Sequence, residues 1–321
     1  MKDLEYITCP LCGMDDTKLV FKRKDLTHQV SEFEFPVVHC RRCGMVYVNP
    51  RPTATDIHRF YTDDFYNISS TPEQTILEKC KVLQAKYDKI KGMKPGTLLD
   101  IGCSKGEFMF MMKNKGWTVK GLEFSLKPPN LFNLDIHYGD LVTAPFEKES
   151  FDLITLWAVL EHVYDPKETL ASINRLIKPG GSLVMLVTNF NSIPARFMRH
   201  DDIPRHTNMF TKKTITEMLN QTGFKPVKFY FDQEIFSGSV RGLLNYCVKL
   251  IAGEKKEEIL AQCRTPNRWH EFSSQIKGRS SKLMLKVDSF DIAMSPVLNR
   301  FLDQLQFGFI MTVVSIKKGY I

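Results

Sequence analysis

The stretch Leu98-Leu99-Asp100-Ile101-Gly102-Cys103-Ser104-Lys105-Gly106-Glu107-Phe108-Met109 joins an apolar run to a helix-forming run through a turn carrying two glycines. Thr97 to Ile101 reads as a strand buried on both faces. Glu107 to Lys113, with Phe108, Met109, Phe110 and Met112, reads as a helix. Between them Gly102 and Gly106 admit positive φ and close backbone approach. A ligand can therefore rest against exposed N–H groups at a helix N-terminus.

Dinucleotide-binding turns follow G-x-G-x-x-G, with an acid about 20 residues later on a ribose hydroxyl. Here the pattern is D-x-G-x-x-x-G, Ser104 stands where a middle glycine is usual, and the candidate ribose acid is Glu123 at the end of Trp117 to Glu123. The leading acid, Asp100, repels a pyrophosphate and suits a cationic ligand.

Further motifs follow in order: Gly139-Asp140-Leu141, then Phe151-Asp152-Leu153-Ile154-Thr155-Leu156-Trp157-Ala158-Val159-Leu160-Glu161-His162-Val163 with Asp165-Pro166. Leu176 to Met185, containing Lys178-Pro179-Gly180-Gly181, and Gly223-Phe224 complete the set. Together these resemble the class I S-adenosylmethionine-dependent methyltransferases over Thr97 to about Phe231. The resemblance implies an α/β fold: a doubly wound, Rossmann-like seven-stranded methyltransferase sheet whose last strand runs antiparallel beside the sixth. It also implies S-adenosylmethionine as cofactor, with the sulfonium supplying the cationic charge that Asp100 suits.

The chain has 321 residues, 43% hydrophobic and 25% charged, enough for one large α/β core plus an appendage. Net charge is +8 without a long unbroken Lys/Arg run, which favours a solvated basic surface over a dedicated polyanion site. Met1 to Thr8 lacks the apolar core of a secretion signal, and no uncharged apolar segment reaches the ~20 residues a bilayer span needs. The reading is a cytoplasmic protein without a transmembrane segment, so its eight cysteines are expected as thiols or metal ligands rather than disulfides.

Four of them are patterned. Cys9-Pro10-Leu11-Cys12-Gly13 and, 27 intervening residues later, Cys40-Arg41-Arg42-Cys43-Gly44 form two C-x-x-C-G knuckles. A two-residue spacer folds two thiolates onto one ion, and paired knuckles suit tetrahedral zinc. Four thiolates leave no open position for water, so Zn2+ is expected in a structural role at Cys9, Cys12, Cys40 and Cys43; redox chemistry or fortuitous thiols are the weaker readings. Cys103 reads as a small buried residue.

The organisation expected is a zinc ribbon over 1–52, a helical linker and covering helix over 53–96, and the cofactor-binding domain over 97–321. The ribbon's strands are placed at Leu19 to Phe21, Phe33 to His39 and Met45 to Val48, with Asn49-Pro50-Arg51-Pro52 ending it. A short helix is expected from about Ala54 to Tyr61. After Thr71-Pro72, a capping hydroxyl followed by proline, a longer helix runs to about Lys91. Strands at Pro226 to Phe231 and Phe309 to Ile316 are separated by a helical insertion of about 232–306, far beyond the ~2–5 residues of an ordinary hairpin connection. Within it, Phe236 to Ala252 fits a packed lid or dimer contact better than a membrane-surface helix, though surface contact stays open. Gly253 to Ser281 reads as an exposed connector or substrate-facing loop, and Lys282 to Leu305 as helices broken near Pro296.

Carried over from the resemblance, Asp100, Gly102 and Gly106 form the methionine and ribose side of the cofactor site, and Glu123 accepts from the ribose hydroxyls. Asp140 contacts the adenine amino group, Leu141 packs on the ring, and Trp157 with Ala158 lines the sulfonium pocket. Quinone-type members of the family carry an acid three residues before this Glu and use that cluster for a metal; Ala158 in that position disfavours catalytic metal. Methyl transfer needs orientation, exclusion of water and, where the nucleophile is protonated, a base. His162 at the mouth of the sheet and His206 in Pro204-Arg205-His206-Thr207-Asn208 are the candidate bases, Arg205 a candidate for an anionic substrate group or a brace of its own loop. Tyr61 and Tyr66 are weighed as covers over the cofactor, with packing the plainer reading.

A four-cysteine ribbon on this domain resembles sugar-modifying methyltransferases. That resemblance implies a saccharide or similar hydroxylated small molecule as partner; the related C-methyltransferases are longer and carry an additional C-terminal domain, so methylation on oxygen is the expectation here. The alternative is an RNA methyltransferase whose ribbon, with Lys22, Arg23, Lys24, Arg41 and Arg42, reads nucleic acid. A scaffold that retains only the fold is disfavoured by the intact Asp100, Gly102, Gly106 and Glu123.

Overall fold

The computed structural model describes residues 3–25, 28–62, 71–193, 195–196, 202–232, 243–251, 253 and 282–319. Its centre is a seven-stranded sheet of β6 (Thr97–Ile101), β7 (Thr118–Glu123), β8 (Ile136–Tyr138), β9 (Phe151–Trp157), β10 (Ile177–Thr188), β12 (Phe224–Asp232) and β13 (Ile310–Lys317). The spatial order is β12-β13-β10-β9-β6-β7-β8. β8, β7, β6, β9 and β10 run parallel, whereas β13 lies antiparallel between β10 and β12. This is the doubly wound Rossmann-like sheet read from the motifs, down to the reversed final strand.

The strand sequences explain the buried centre. β6 and β9 are almost continuously apolar, as strands covered on both faces must be. One face packs α1 (Pro72–Asp88) and α2 (Glu107–Asn114), through Leu83, Phe108 and Met112 and with Ile90 in the turn after α1, onto Leu98, Leu153 and Trp157. The other packs α3 (Pro166–Leu176) and α4 (Lys212–Gln221), through Leu170, Ile173, Ile215 and Met218, onto Leu99, Ile154 and Leu156. α1 starts where the sequence places it: Thr71 and Gln74 close a capping box, with Pro72 in the first turn.

Strand order reverses at β6. Its neighbours β7 and β9 continue the sheet in opposite directions, which opens a crevice beyond the C-terminal ends of β6 and β9. Ligands of open α/β sheets bind at such a switch point. The opening turn of the sequence, Gly102 to Gly106, lies there.

The N-terminal segment builds its own sheet from β2 (Thr17–Arg23), β3 (Phe35–Cys40) and β4 (Val46–Val48), while β1 (Leu4–Glu5) pairs with β5 (Arg51–Pro52). A fourth strand, β11 (Asn208–Met209), comes from the segment after β10 and lies antiparallel on β4. Arg51 reinforces the junction. Its Nε donates to Glu5 Oε1 at 2.7 Å, its Nη1 to the Tyr164 carbonyl at 2.9 Å, and its guanidinium lies 4.2 Å from the Tyr164 ring centre.

Two local expectations change. The linker turn is a single 3-10 turn, Ile57–Phe60, rather than a helix from Ala54. Of the insertion, α5 (Leu243–Ile251) and α6 (Lys282–Gln304) are described, and α6 runs through Pro296 unbroken. Proline removes one N–H donor but keeps a helical φ, so one missing bond need not end a helix this long. The parts of the lid and connector readings at 233–242 and 254–281, Tyr66 and Cys263 lie outside the described residues. Among the described residues no helix is long and apolar enough to cross a membrane.

Candidate functional site

The site is assembled from the turn upward. Gly102 has φ +70°, and a Cβ there would stand 2.5 Å from Val159 Cγ2; Gly106, at φ +85°, caps α2. Both glycines therefore serve backbone geometry and close approach. Ser104 occupies the middle-glycine position in the left-handed region, φ +50°, at a cost of roughly 1–2 kcal/mol for a residue with a side chain. Its backbone answers the departure noted in the sequence: the Ser104 N–H donates to Glu123 Oε2 at 2.8 Å. The Ser125 N–H donates to Glu123 Oε1 at 3.0 Å, so both carboxylate oxygens are oriented by main chain and Glu123 is only 7% exposed. Burial raises its pKa, and these amides oppose the shift.

Asp100 lies opposite Thr155 in the parallel register and accepts from Thr155 Oγ1 at 2.6 Å. Burial pushes its carboxyl up to about 7, against the pull of the Lys86 ammonium and the Thr155 bond. Lys86, on α1, is lowered to about 8 by burial, with Asp100 opposing. Its Nζ sits 5.3 Å from the Trp157 ring centre and 5.7 Å from that of Phe108. A cation is thus already balanced beside Asp100 over aromatic faces, an arrangement that favours positive charge. The sequence reading missed Lys86; its signal was a lysine on the apolar stripe Ile76, Leu83, Ile90 of an otherwise amphipathic helix.

Trp157 and Ala158 follow at the end of β9. The Trp157 indole is buried against Phe108, and its Nε1 has no hydrogen-bond partner among the described residues. Ala158 takes φ +60°, turning the chain sharply over the crevice. Asp140 is exposed and accepts from the Val142 N–H at 2.7 Å, with Leu141 buried beside it. Asp100, Gly102, Gly106, Glu123, Trp157 and Ala158 therefore all stand at the C-terminal ends of β6, β7 and β9.

The two candidate bases, 44 residues apart in sequence, meet. The rings of His162 and His206 lie edge to face with centres 4.6 Å apart. Tyr61 Oη and His162 Nδ1 are 3.0 Å apart, which makes Tyr61 a partner of the base pair instead of plain packing. His206 is 9% exposed and its Nδ1 is buried without a partner among the described residues. Burial lowers His162 to about 3, with His206 adding to the shift, and lowers His206 to about 4; the Asp202 charge opposes both shifts and the Arg205 charge adds to them, while the Arg205 backbone opposes the shift at His162. Both imidazoles are neutral at ordinary pH.

Arg205 does not face a ligand. Its guanidinium is 0% exposed and donates through Nε to Asp202 Oδ2 at 2.8 Å, through Nη1 to the Phe60 carbonyl at 2.8 Å, and through Nη2 to Asp25 Oδ1 at 3.2 Å and to Asp202 Oδ1. With its donors consumed inside the protein it braces the loop, and the reading of it as a substrate-anion holder is withdrawn.

Glu161, beside His162, is fully buried, and neither carboxyl oxygen has a hydrogen-bond partner among the described residues. Burial pushes it up to about 7. The folded protein then keeps a proton that the unfolded chain releases, so stability falls as pH rises from about 4.5 to about 7 and is level above. Glu161→Gln, which mimics the protonated carboxyl, is expected to stabilise the protein by about 3 kcal/mol near pH 8 and to leave it almost unchanged near pH 4. Thermal melts at the two pH values check this; equal shifts at both would contradict it.

At the N-terminus the four cysteine sulfurs converge. Cys9 Sγ and Cys43 Sγ are 3.5 Å apart, Cys12 Sγ and Cys40 Sγ 3.6 Å, and all four lie within 4.8 Å of one another. Zn–S bonds of ~2.3 Å in a tetrahedron put sulfurs about 3.8 Å apart, so the set fits zinc closely. The Gly13 and Gly44 N–H groups return to the carbonyls of Cys9 and Cys40, closing each knuckle.

Residues 76–228 match the family model described as a methyltransferase domain. Demethylmenaquinone methyltransferase of Staphylococcus aureus strain JH9 is 33% identical over 129 residues, 36% of this chain and 54% of that protein. The chain thus spans about half the length of the curated relatives it matches. Among solved structures, phosphoethanolamine N-methyltransferase 2 of Haemonchus contortus, in complex with S-adenosyl-L-methionine, aligns at 15% identity and TM-score 0.49 over 94% of this chain and 69% of that one. A possible histamine N-methyltransferase of Thermotoga maritima aligns at 15% identity and TM-score 0.47, over 82% of this chain and 100% of that one. This match lies across β6 to β10 and the turn at Gly102.

Proposed function

We propose that this protein is an S-adenosylmethionine-dependent methyltransferase that methylates a hydroxyl oxygen of a sugar or similar small molecule. Asp100, the backbone from Gly102 to Gly106, and Glu123 would hold the methionine and ribose parts of the cofactor, Asp140 and Leu141 the adenine, and Trp157 with Ala158 the sulfonium. The fit rests on the cradle that a Cβ at Gly102 would fill, the unpartnered Trp157 Nε1 and the acids beside the crevice. When bound, the cofactor supplies an activated methyl group and its own leaving group.

The observation that carries the choice of a hydroxyl acceptor is the pairing of His162 with His206 at 4.6 Å between ring centres. A hydroxyl must lose its proton as it attacks, and two neutral imidazoles provide a place for it. Tyr61 orients His162 through Nδ1, and proximity to Asp202 favours an imidazolium once formed. The four thiolates would hold structural zinc. His162→Ala and His206→Ala are expected to spare cofactor binding and to lower turnover by about 100-fold, the usual worth of a positioned base.

The decisive experiment is transfer of label from S-adenosylmethionine to nucleotide sugars, glycans, RNA and lipid extracts. Base-stable label on a saccharide hydroxyl is the expected result. Label on RNA alone would replace this reading with the nucleic-acid alternative, and full activity in both histidine variants would remove the base assignment.

A further inference from the structure

His206 is not held by the methyltransferase sheet alone. Its N–H donates to the Asp202 carbonyl at 2.8 Å, and on the next residue the Thr207 carbonyl accepts the Val48 N–H at 3.0 Å. Asn208 and Met209 then pair with Tyr47 and Val46 of β4. That strand starts at the second cysteine knuckle: the Cys40 N–H donates to the Met45 carbonyl at 2.8 Å, and Met45 lies two residues after Cys43. A continuous main-chain path therefore runs from the metal ligands to the candidate base.

A side-chain path runs beside it. Arg205, adjacent to His206, is clamped between Asp202 of its own loop and Asp25 of the N-terminal segment, with the Phe60 carbonyl completing its partners. Asp25 is itself fixed, accepting the N–H groups of His28 at 3.2 Å and Val30 at 3.0 Å. Bidentate and buried, such a guanidinium has one geometry in which its donors are satisfied, so the backbone of residue 205 has little freedom.

We propose that Arg205 and Asp25 are positioning residues that hold the His206 imidazole edge-on to His162, and that the zinc ribbon serves as the scaffold of the acceptor half of the site. The inference concerns how His206 is placed, and takes its catalytic meaning from the base reading above. Loosening this scaffold admits water to the His206 ring. The groups facing the pair are Asp202, Arg205 and Tyr61 besides the two rings themselves. Since burial is the largest cause of the depression of His206 to about 4, hydration should return it toward the ordinary histidine value of ~6.5.

The test is a titration of the full-length, zinc-loaded protein with 13C-labelled histidine by NMR, the His206 signal being the one absent from His206→Ala. Chelation of the metal is expected to raise the His206 midpoint by at least about one pH unit. Asp25→Asn and Arg205→Lys are expected to move it in the same direction while zinc content stays at one ion per chain and affinity for S-adenosylmethionine is unchanged. A ribbon that merely stabilises the fold would lower the melting temperature without moving this titration. An unmoved His206 midpoint after chelation, a measurement that needs no substitution, overturns the proposal whatever the variants do. Full methyl transfer by His206→Ala would instead remove the base reading and leave the coupling, read by NMR, intact.

Discussion

Glu123→Ala is expected to weaken S-adenosylmethionine binding by roughly 30- to 1000-fold, equivalent to about 2–4 kcal/mol for two hydrogen bonds to an ionised acceptor. The argument begins with the free protein. Each oxygen of Glu123 already accepts one backbone N–H, from Ser104 in the glycine turn and from Ser125 beyond β7, which aims its remaining lone pairs at the crevice. Removing the carboxylate deletes the proposed ribose acceptor and also frees the turn that carries Ser104 in its left-handed conformation. Glu123→Gln should not rescue: its amide nitrogen would have to face one of two N–H donors. The thermal midpoint of the cofactor-free variant should fall as well, because nearly buried amides lose their partner. Calorimetric titration with S-adenosylmethionine measures the effect, and an unchanged dissociation constant for Glu123→Ala would show that the ribose is held elsewhere.

Removing zinc, or replacing Cys40 by serine, is expected to unfold the N-terminal sheet. Structural zinc supplies on the order of 10–16 kcal/mol in small zinc domains, far above the margin that keeps a short sheet folded. The consequences differ along the chain. β3 and β4 are joined at the Cys40–Cys43 knuckle, and β4 carries β11, so the loss reaches His206 and Arg205. Cys9, Leu11, Cys40, Met45 and Tyr47 also belong to the same buried cluster as Leu99 and Phe210, so the melting temperature of the remainder should fall. The cradle at Gly102, Ser104 and Glu123 is assembled by β6, β7 and Val159 beyond β9, none of them in the N-terminal sheet, and cofactor affinity should survive. Circular dichroism, zinc content and calorimetry on one chelated sample separate these outcomes; loss of cofactor binding at the same chelator concentration as loss of the ribbon would refute the division.

Much of the scaffold could be read from local chemistry. The D-x-G-x-x-x-G turn, the order of apolar strands, the capping signal at Thr71-Pro72 and the cysteine knuckles each depend on neighbours within a few residues, and each forms in the structure as spaced. Other features depended on distant partners. Arg205 looks identical in sequence whether it faces solvent or is sealed between Asp202 and Asp25, 180 residues away. β11 is two residues long and has no strand signal of its own; pairing with β4 makes it a strand. Lys86 and Glu161 are ordinary charged residues until burial shifts them to about 8 and about 7.

By itself the sequence determined the glycine turn with its flanking strands and the clustered four-cysteine set, because glycine torsions, cysteine spacing and strand periodicity are short-range properties written in adjacent residues. The grouping of the proposed bases was decided only by tertiary structure. His162, His206 and Tyr61 become one site when β11 crosses to the N-terminal sheet and Arg205 closes on Asp25. Burial and long-range pairing set their protonation and orientation, and neither is encoded at any single position.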